Sequence, residues 1–292
     1  MGLFAEHLNL KDLRVRSVIA YYRDMRLIHD YFGKNSKYLT QKQIRSYIVY
    51  MKEQKQWAGQ TVRKAIAAAR MFYGDMLGKP WKLWDIVKVR DPETLPVVLD
   101  MDEVAHLFKQ MPLLRYKVPL ELIYNCGLRL YECLNLTVND IEGANNRLIV
   151  RDGKGAKDRY VPLSEMMYKR LQKYWLFHKN KQFIFPEVGR GVGKPETLYK
   201  HMHHATKQMH PGSLRKTMSD ACIQAKIKKH ATIHTLRHSY ATHLHAKSVS
   251  IRQLQIYLGH SNIETTTLYT HLVPLSEQRS LKVIDELAQR TR

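Results

Sequence analysis

The sequence predicts a mainly α protein with one small antiparallel β-sheet, arranged as two domains. Three observations carry this. Apolar residues recur at steps of three and four along most of the 292 residues, as one face of a helix requires. The period changes once, near 147–163, where two β-rich runs flank a glycine-containing turn. A charged stretch with two prolines and no helical period divides the chain near residue 90.

The first domain is read over 1–88. Val18, Tyr22, Met25, Ile28 and Phe32 share one helix face. Ile44, Ile48 and Met51 repeat the pattern, as do Val62, Ile66, Ala69, Phe72 and Met76. Gly33-Lys34-Asn35-Ser36 and Trp57-Ala58-Gly59 are the turns between them, and Gly78-Lys79-Pro80 stops the last helix, giving about four in all. Residues 89–98 form the linker.

The second domain, 99–292, opens on a helix with Asp100 as N-cap and Glu103 three residues on, the spacing of a capping box. A helix over about 115–125 follows. Gly127-Leu128-Arg129 interrupts it, and another helix runs from Leu130 to about Leu136. Arg147-Leu148-Ile149-Val150-Arg151 and Arg159-Tyr160-Val161-Pro162-Leu163 then form a hairpin around the turn at 152–157. Helices resume from about 164 to 178 and dominate to the end. A short terminal helix over 275–292 carries Leu281, Ile284 and Leu287 as a narrow apolar stripe.

Charge narrows the class of partner. Lys and Arg total 48 against 26 Asp and Glu, a formal charge of +22. Residues 1–90 hold 18 basic and 7 acidic side chains, so 18 − 7 = +11, and the remainder holds 30 − 19 = +11. Such an excess calls for a polyanion, and two basic halves fit a nucleic-acid duplex gripped from two sides. No apolar run approaches the roughly 20 residues that span a bilayer. The start, Met1-Gly2-Leu3-Phe4-Ala5-Glu6, lacks the order of a signal peptide. The three cysteines, Cys126, Cys133 and Cys222, lack CxxC spacing, which argues against a disulfide framework and a cysteine zinc site. A reduced, cytoplasmic protein is expected.

Five local features stand out, each weak alone. In Gly127-Leu128-Arg129-Leu130-Tyr131-Glu132, Arg129 offers a permanently charged planar fork and Glu132, one turn on, can orient it. The same residues also read as a surface ion pair. Gly153-Lys154-Gly155 places a lysine at a hairpin tip, and is equally an ordinary solvated turn. In His234-Thr235-Leu236-Arg237-His238, His234 and Arg237 share a helix face. No Glu follows His234, so a metalloprotease motif is not present. Leu258-Gly259-His260 and Leu268-Tyr269-Thr270-His271 close the set, and one tyrosine of 17 carries no meaning by itself. His201, His203, His204 and His210 lack cysteine or carboxylate partners and read as a solvated face rather than a metal site.

Taken in order, these motifs resemble the tyrosine recombinase family, which includes phage integrases, Xer-type recombinases and integron integrases. The Arg129–Lys154 gap is 25 residues, His234 to Arg237 is 3, and His260 to Tyr269 is 9. The resemblance covers about Leu95 to Leu272, and the basic helical domain before it matches the family's core-binding, SAM-like domain. Tyr131, where a small polar residue is common, and Asn125-Cys126, in place of a Thr-Gly lead-in, depart from the pattern outside the reacting set.

The resemblance implies a catalytic domain in which Arg129 and Arg237 clamp a scissile DNA phosphate. Lys154 serves the leaving oxygen, His234 and His260 complete the pocket, and Tyr269 attacks. Glu132 and His238 match supporting positions. It implies site-specific cutting and rejoining of double-stranded DNA through a 3′-phosphotyrosine, without cofactor or metal. It also implies a homotetramer on two DNA sites, with 275–292 docking onto a neighbouring protomer or its own domain, and a location at the nucleoid. The chemistry is coherent. Fixed cations face charge that develops on the phosphate oxygens, and a phenol, with its ordinary pKa of about 10, needs help to lose its proton. Two other readings remain at this point: a type IB topoisomerase relaxing DNA without synapsis, and a non-catalytic helical DNA-binding regulator.

Overall fold

The computed structural model describes residues 2–11, 13, 15–83, 95–151, 158–188 and 195–270. The chain divides into two units, 1–94 and 95–292, each with its own apolar core.

The first unit is all α. Its helices are α1 (Gly2–Leu10), α2 (Val15–Phe32), α3 (Gln41–Glu53) and α4 (Gly59–Ala69), and α4 continues over Arg70–Met76 with widened turns. The residues that repeat along each face form the core: Met25, Ile28, Ile44, Ile48, Val62 and Phe72. Phe4 and Leu8 of α1 join them. Thr40 starts α3, because its Oγ1 accepts from Gln43 N at 3.3 Å while Gln43 Oε1 accepts from Thr40 N at 3.0 Å.

The second unit begins with α5 (Met101–Lys109), α6 (Leu114–Cys126) and α7 (Leu130–Leu134). The capping box expected at Asp100 is present: Glu103 N donates to its Oδ1 at 2.7 Å and Asp100 N to Glu103 Oε2 at 2.9 Å. A three-stranded antiparallel sheet follows, β1 (Ile141–Glu142), β2 (Arg147–Val150) and β3 (Arg159–Pro162), in the order β1-β2-β3. Leu148 pairs with Val161 and Val150 with Arg159. Leu148, Val150 and Val161 turn into the core, which is the alternation a one-faced sheet requires. Five longer helices complete the unit: α8 (Glu165–His178), α9 (Pro195–His204), α10 (Pro211–Gln224), α11 (Ile233–Ala246) and α12 (Ile251–Leu258). The short α13 (Glu264–Thr267) precedes Tyr269. Among the described residues no helix is long and apolar enough to cross a membrane.

Gly127 ends α6 in the left-handed region, at φ +61°. A Cβ there would lie 2.5 Å from Tyr240 Cδ1 and 2.9 Å from Leu258 Cδ2. Backbone conformation and space therefore both demand glycine, and the sharp turn brings Arg129 to the start of α7. Gly127→Ala should cost about 3 kcal/mol, roughly half from left-handed strain and half from displacing the Tyr240 ring. Urea unfolding of the two proteins checks it, and equal midpoints would refute the steric account.

Candidate active site

The pocket is assembled from four places in the second unit. Arg129 and Glu132 come from the start of α7, and Arg159 from β3. His234, Arg237 and His238 lie on α11, at positions i, i+3 and i+4 that put them on one face. The segment after α12 brings His260 and then Tyr269.

The C-terminus of α12 is the hub. Its last carbonyls lack helical partners and carry the negative end of the helix dipole, so cations belong there. Arg237 Nη2 donates to Leu258 O at 2.6 Å, and its Nη1 donates to Gly127 O at 2.7 Å. Arg129 Nη1 donates to Leu258 O at 3.4 Å and its Nη2 to Gly259 O at 3.3 Å. The Leu258-Gly259-His260 motif is thus explained by its backbone. Gly259, at φ +63°, turns these carbonyls toward both arginines, and a Cβ on it would meet the Arg159 side chain at 2.9 Å.

Glu132 binds the cations together. It accepts from Arg129 Nη1 at 2.6 Å and from Arg129 N at 2.8 Å. Arg159 grips it with both arms, Nη1 to Oε1 at 3.0 Å and Nη2 to Oε2 at 2.8 Å. Arg237 Nη1 stands 3.6 Å from Oε2. Burial disfavours the Glu132 charge, but hydrogen bonds and charge from Arg159, then Arg129, outweigh it and hold the carboxyl at about 2. Arg237 is 1 % exposed, and burial followed by Arg129 lowers its pKa, against the opposing pull of Glu132.

Three histidines line the same pocket. His238 Nδ1 is 3.0 Å from Tyr269 Oη. His234 packs edge-to-face on the His238 ring, with centroids 4.5 Å apart. His260 Nδ1 lies 2.9 Å from Thr266 Oγ1. Burial lowers all three, and nearby arginines lower them further, His260 to about 3 and His238 to about 4. All three are therefore shifted toward the neutral imidazole. Tyr269 is 1 % exposed and packs with Tyr240, Ala241 and Leu258. Burial raises its phenol, and Arg237 and Arg129 pull it back.

Of the residues expected from sequence, Arg129, Glu132, His234, Arg237, His238, His260 and Tyr269 converge here. Lys154 lies on 152–157, outside the described residues, as does the segment 275–292. Arg159 was missed, and it belongs to the pocket as firmly as the others. Its signal was present but mute, because a basic residue on a hairpin strand ordinarily faces solvent. Among the described residues no group of three or more His, Cys, Asp and Glu side chains could hold a metal. In the histidine-rich stretch, His203 Nδ1 meets the His178 carbonyl at 3.0 Å and His210 caps α10 by accepting from Gly212 N.

The arrangement presents fixed guanidinium charge beside a buried phenol, the equipment for nucleophilic displacement at a phosphate diester. Comparison with known proteins agrees. The phage integrase family matches residues 97–275, and the phage integrase N-terminal SAM-like domain matches 1–83. A tyrosine recombinase of Thermosipho africanus is 32% identical over 267 residues, covering 87% of this chain and 87% of that relative. Tyrosine recombinase XerC of Halalkalibacterium halodurans is 28% identical over 269 residues, covering 88% and 86%. Among solved structures, the Tn1549 transposon integrase in complex with transposon right end DNA has a TM-score of 0.70 at 18% identity, covering 98% of each chain. With more than half its length matched by that family and a relative above 30% identity spanning most of it, the chain belongs to the phage integrase family, the tyrosine recombinases.

Proposed function

We propose that this protein is a site-specific DNA recombinase that cuts and rejoins duplex strands through a 3′-phosphotyrosine at Tyr269. The observation that carries the reading is the cation cage: Arg129 and Arg237 fixed on the α12 carbonyls, tied by Glu132, beside the Tyr269 hydroxyl. The net charge of +22 and the relatives solved with DNA support duplex DNA as the partner.

In this scheme the scissile phosphate sits against Arg129 and Arg237, which oppose the charge gained by its non-bridging oxygens. Tyr269 Oη attacks phosphorus and the 5′ oxygen leaves. Lys154 is assigned the proton for that oxygen on motif alone, as a lysine whose pKa falls among other cations. His234 and His260 orient the phosphate. The phosphotyrosine keeps the diester bond, so a 5′ hydroxyl from another strand reverses the step without an energy source. Synapsis of two sites by a homotetramer, with 275–292 docking between protomers at the nucleoid, completes the proposal. Topoisomerase-like relaxation and a purely binding role are the disfavoured alternatives. The first lacks strand exchange between sites, and the second gives no reason for this cage.

A nicked suicide duplex carrying the crossover site, mapped first by footprinting, tests this on a denaturing gel. Wild type should give a covalent protein–DNA band, with or without chelator, and Tyr269→Phe should give none. A band that persists in Tyr269→Phe would remove the nucleophile assignment.

A further inference from the structure

We infer that Arg159 is a positioning residue for the cleavage step: it occupies half of the Glu132 carboxylate and so keeps that carboxylate from neutralising Arg129 and Arg237. The inference rests on those two arginines holding the scissile phosphate. It gives Arg159, which no motif singled out, a part in the reaction beyond its packing.

The geometry has Arg159 acting through Glu132 and not on the DNA. Its side chain is 9% exposed. Every nitrogen of its guanidinium is engaged inside the protein. Nη1 donates to Glu132 Oε1 at 3.0 Å, Nη2 to Oε2 at 2.8 Å, and Nε to Tyr257 O at 3.0 Å. The last bond ties β3 to the end of α12, the hub on which Arg129 and Arg237 are also anchored.

Occupancy of the carboxylate explains the effect. An ionised carboxylate offers about four lone-pair sites. Arg129 fills two of those on Glu132, through N at 2.8 Å and Nη1 at 2.6 Å, and Arg159 fills the other two. Arg237 Nη1 accordingly keeps its bond to Gly127 O at 2.7 Å and stands 3.6 Å from Glu132 Oε2. Without Arg159 two sites on the carboxylate open, and the cations at hand to close on them are Arg129 and Arg237. Glu132 would then compete with the phosphate for the same donors.

The charge count points the same way. Three arginines and one glutamate give 3 − 1 = +2, and loss of Arg159 leaves 2 − 1 = +1. In a site this enclosed, fixed charge facing the phosphate acts far more strongly than it would in water. Arg159 is the counter-ion of a counter-ion, and it frees the two catalytic guanidinium groups for DNA.

Single-turnover cleavage of the suicide duplex, at saturating protein, tests this. Arg159→Met should bind DNA near wild-type strength and cut about 10²-fold more slowly, the lower end of the cost of losing one preorganised donor. Arg159→Lys keeps the charge on a one-point hold and should regain about tenfold of that loss. Adding Glu132→Gln to Arg159→Met removes the competing carboxylate and returns the count to 2 − 0 = +2, while the amide oxygen still accepts from Arg129. The double variant should cut about tenfold faster than Arg159→Met alone, a coupling opposite in sign to two independent losses. A methylphosphonate at the scissile position replaces one charged oxygen by methyl, and on it the Arg159→Met deficit should shrink by about tenfold. A folding defect would slow both substrates alike, so an equal deficit on the two would overturn the inference. So would a double variant as slow as Arg159→Met. A 5′-bridging phosphorothiolate, whose sulfur leaves without a proton, should leave Arg159→Met slow, and rescue by it would recast Arg159 as a support for Lys154. Where Arg159→Met fails to fold, Arg159→Lys carries the comparison of the two substrates. Failure of the nucleophile itself would show separately, as a covalent band in Tyr269→Phe.

Discussion

Arg237→Gln should fold, bind DNA near wild-type strength, and cut it about 10³-fold more slowly, the scale of losing one preorganised donor to developing charge. The expectation follows from where the guanidinium is held. It is 1 % exposed, with one arm on Gly127 O at 2.7 Å and the other on Leu258 O at 2.6 Å. Both anchors are backbone, so the plane of the fork is fixed before any phosphate arrives. Those two bonds occupy two of five N–H donors and leave the others for the transition state. A buried fork adds little to the general grip on DNA, which comes from exposed Lys and Arg along the backbone. Gln keeps one donating amide for a carbonyl but loses the charge. An unmet carbonyl costs about 2 kcal/mol of stability. Gel-shift affinity and single-turnover cleavage, measured on one duplex at one salt concentration, separate the two effects. Loss of both in equal proportion would recast Arg237 as grip.

The contrast between Arg237 and Arg159 shows what a sequence can and cannot convey about this site. Arg237 was legible as a neighbour of His234, three apart on one helix, and as a site residue only within the ordered set of motifs. Tyr269 was legible only as the last member of an ordered set. Arg159 and its partner Glu132 are 27 residues apart, on a strand and a helix, and nothing local pairs them. The same limit hid the bond between His238 and Tyr269, which are 31 residues apart. In the fold, the Asp100–Glu103 capping box was readable because its hydrogen bonds close within one turn. The two-residue β1 was not, because a strand that short has no alternation to detect. Local geometry is written in spacing, and the closing of the pocket is written in tertiary packing.

Glu132→Gln should be among the most destabilising single changes in the pocket, costing about 3–5 kcal/mol, the range for breaking a buried ion pair. The glutamate is the shared counter-charge of Arg129, Arg159 and Arg237, and its side chain is 9% exposed. Glutamine preserves shape and leaves the guanidinium groups facing each other uncompensated. Titration leads to a similar figure. The carboxyl moves from 4.5 to about 2 on folding, a fall of about 2.5 units. At 1.36 kcal/mol per unit this is roughly 3 kcal/mol. The folded pKa lies below the unfolded one, so this stability is fully present above pH of about 4.5 and is lost as pH falls toward 2. Wild type should therefore lead Glu132→Gln by its full margin at pH 7, and the gap should narrow steadily below pH of about 4.5. Urea unfolding at several pH values measures it, and a margin that does not change with pH would contradict the ion-pair account. Arg159 supplies the companion test. In the wild-type background Arg159→Met strands Glu132 with one fewer partner, whereas in the Glu132→Gln background it removes an unpaired buried charge. The same substitution should thus be damaging in the first case and mild in the second, a coupling that independent surface residues would not show.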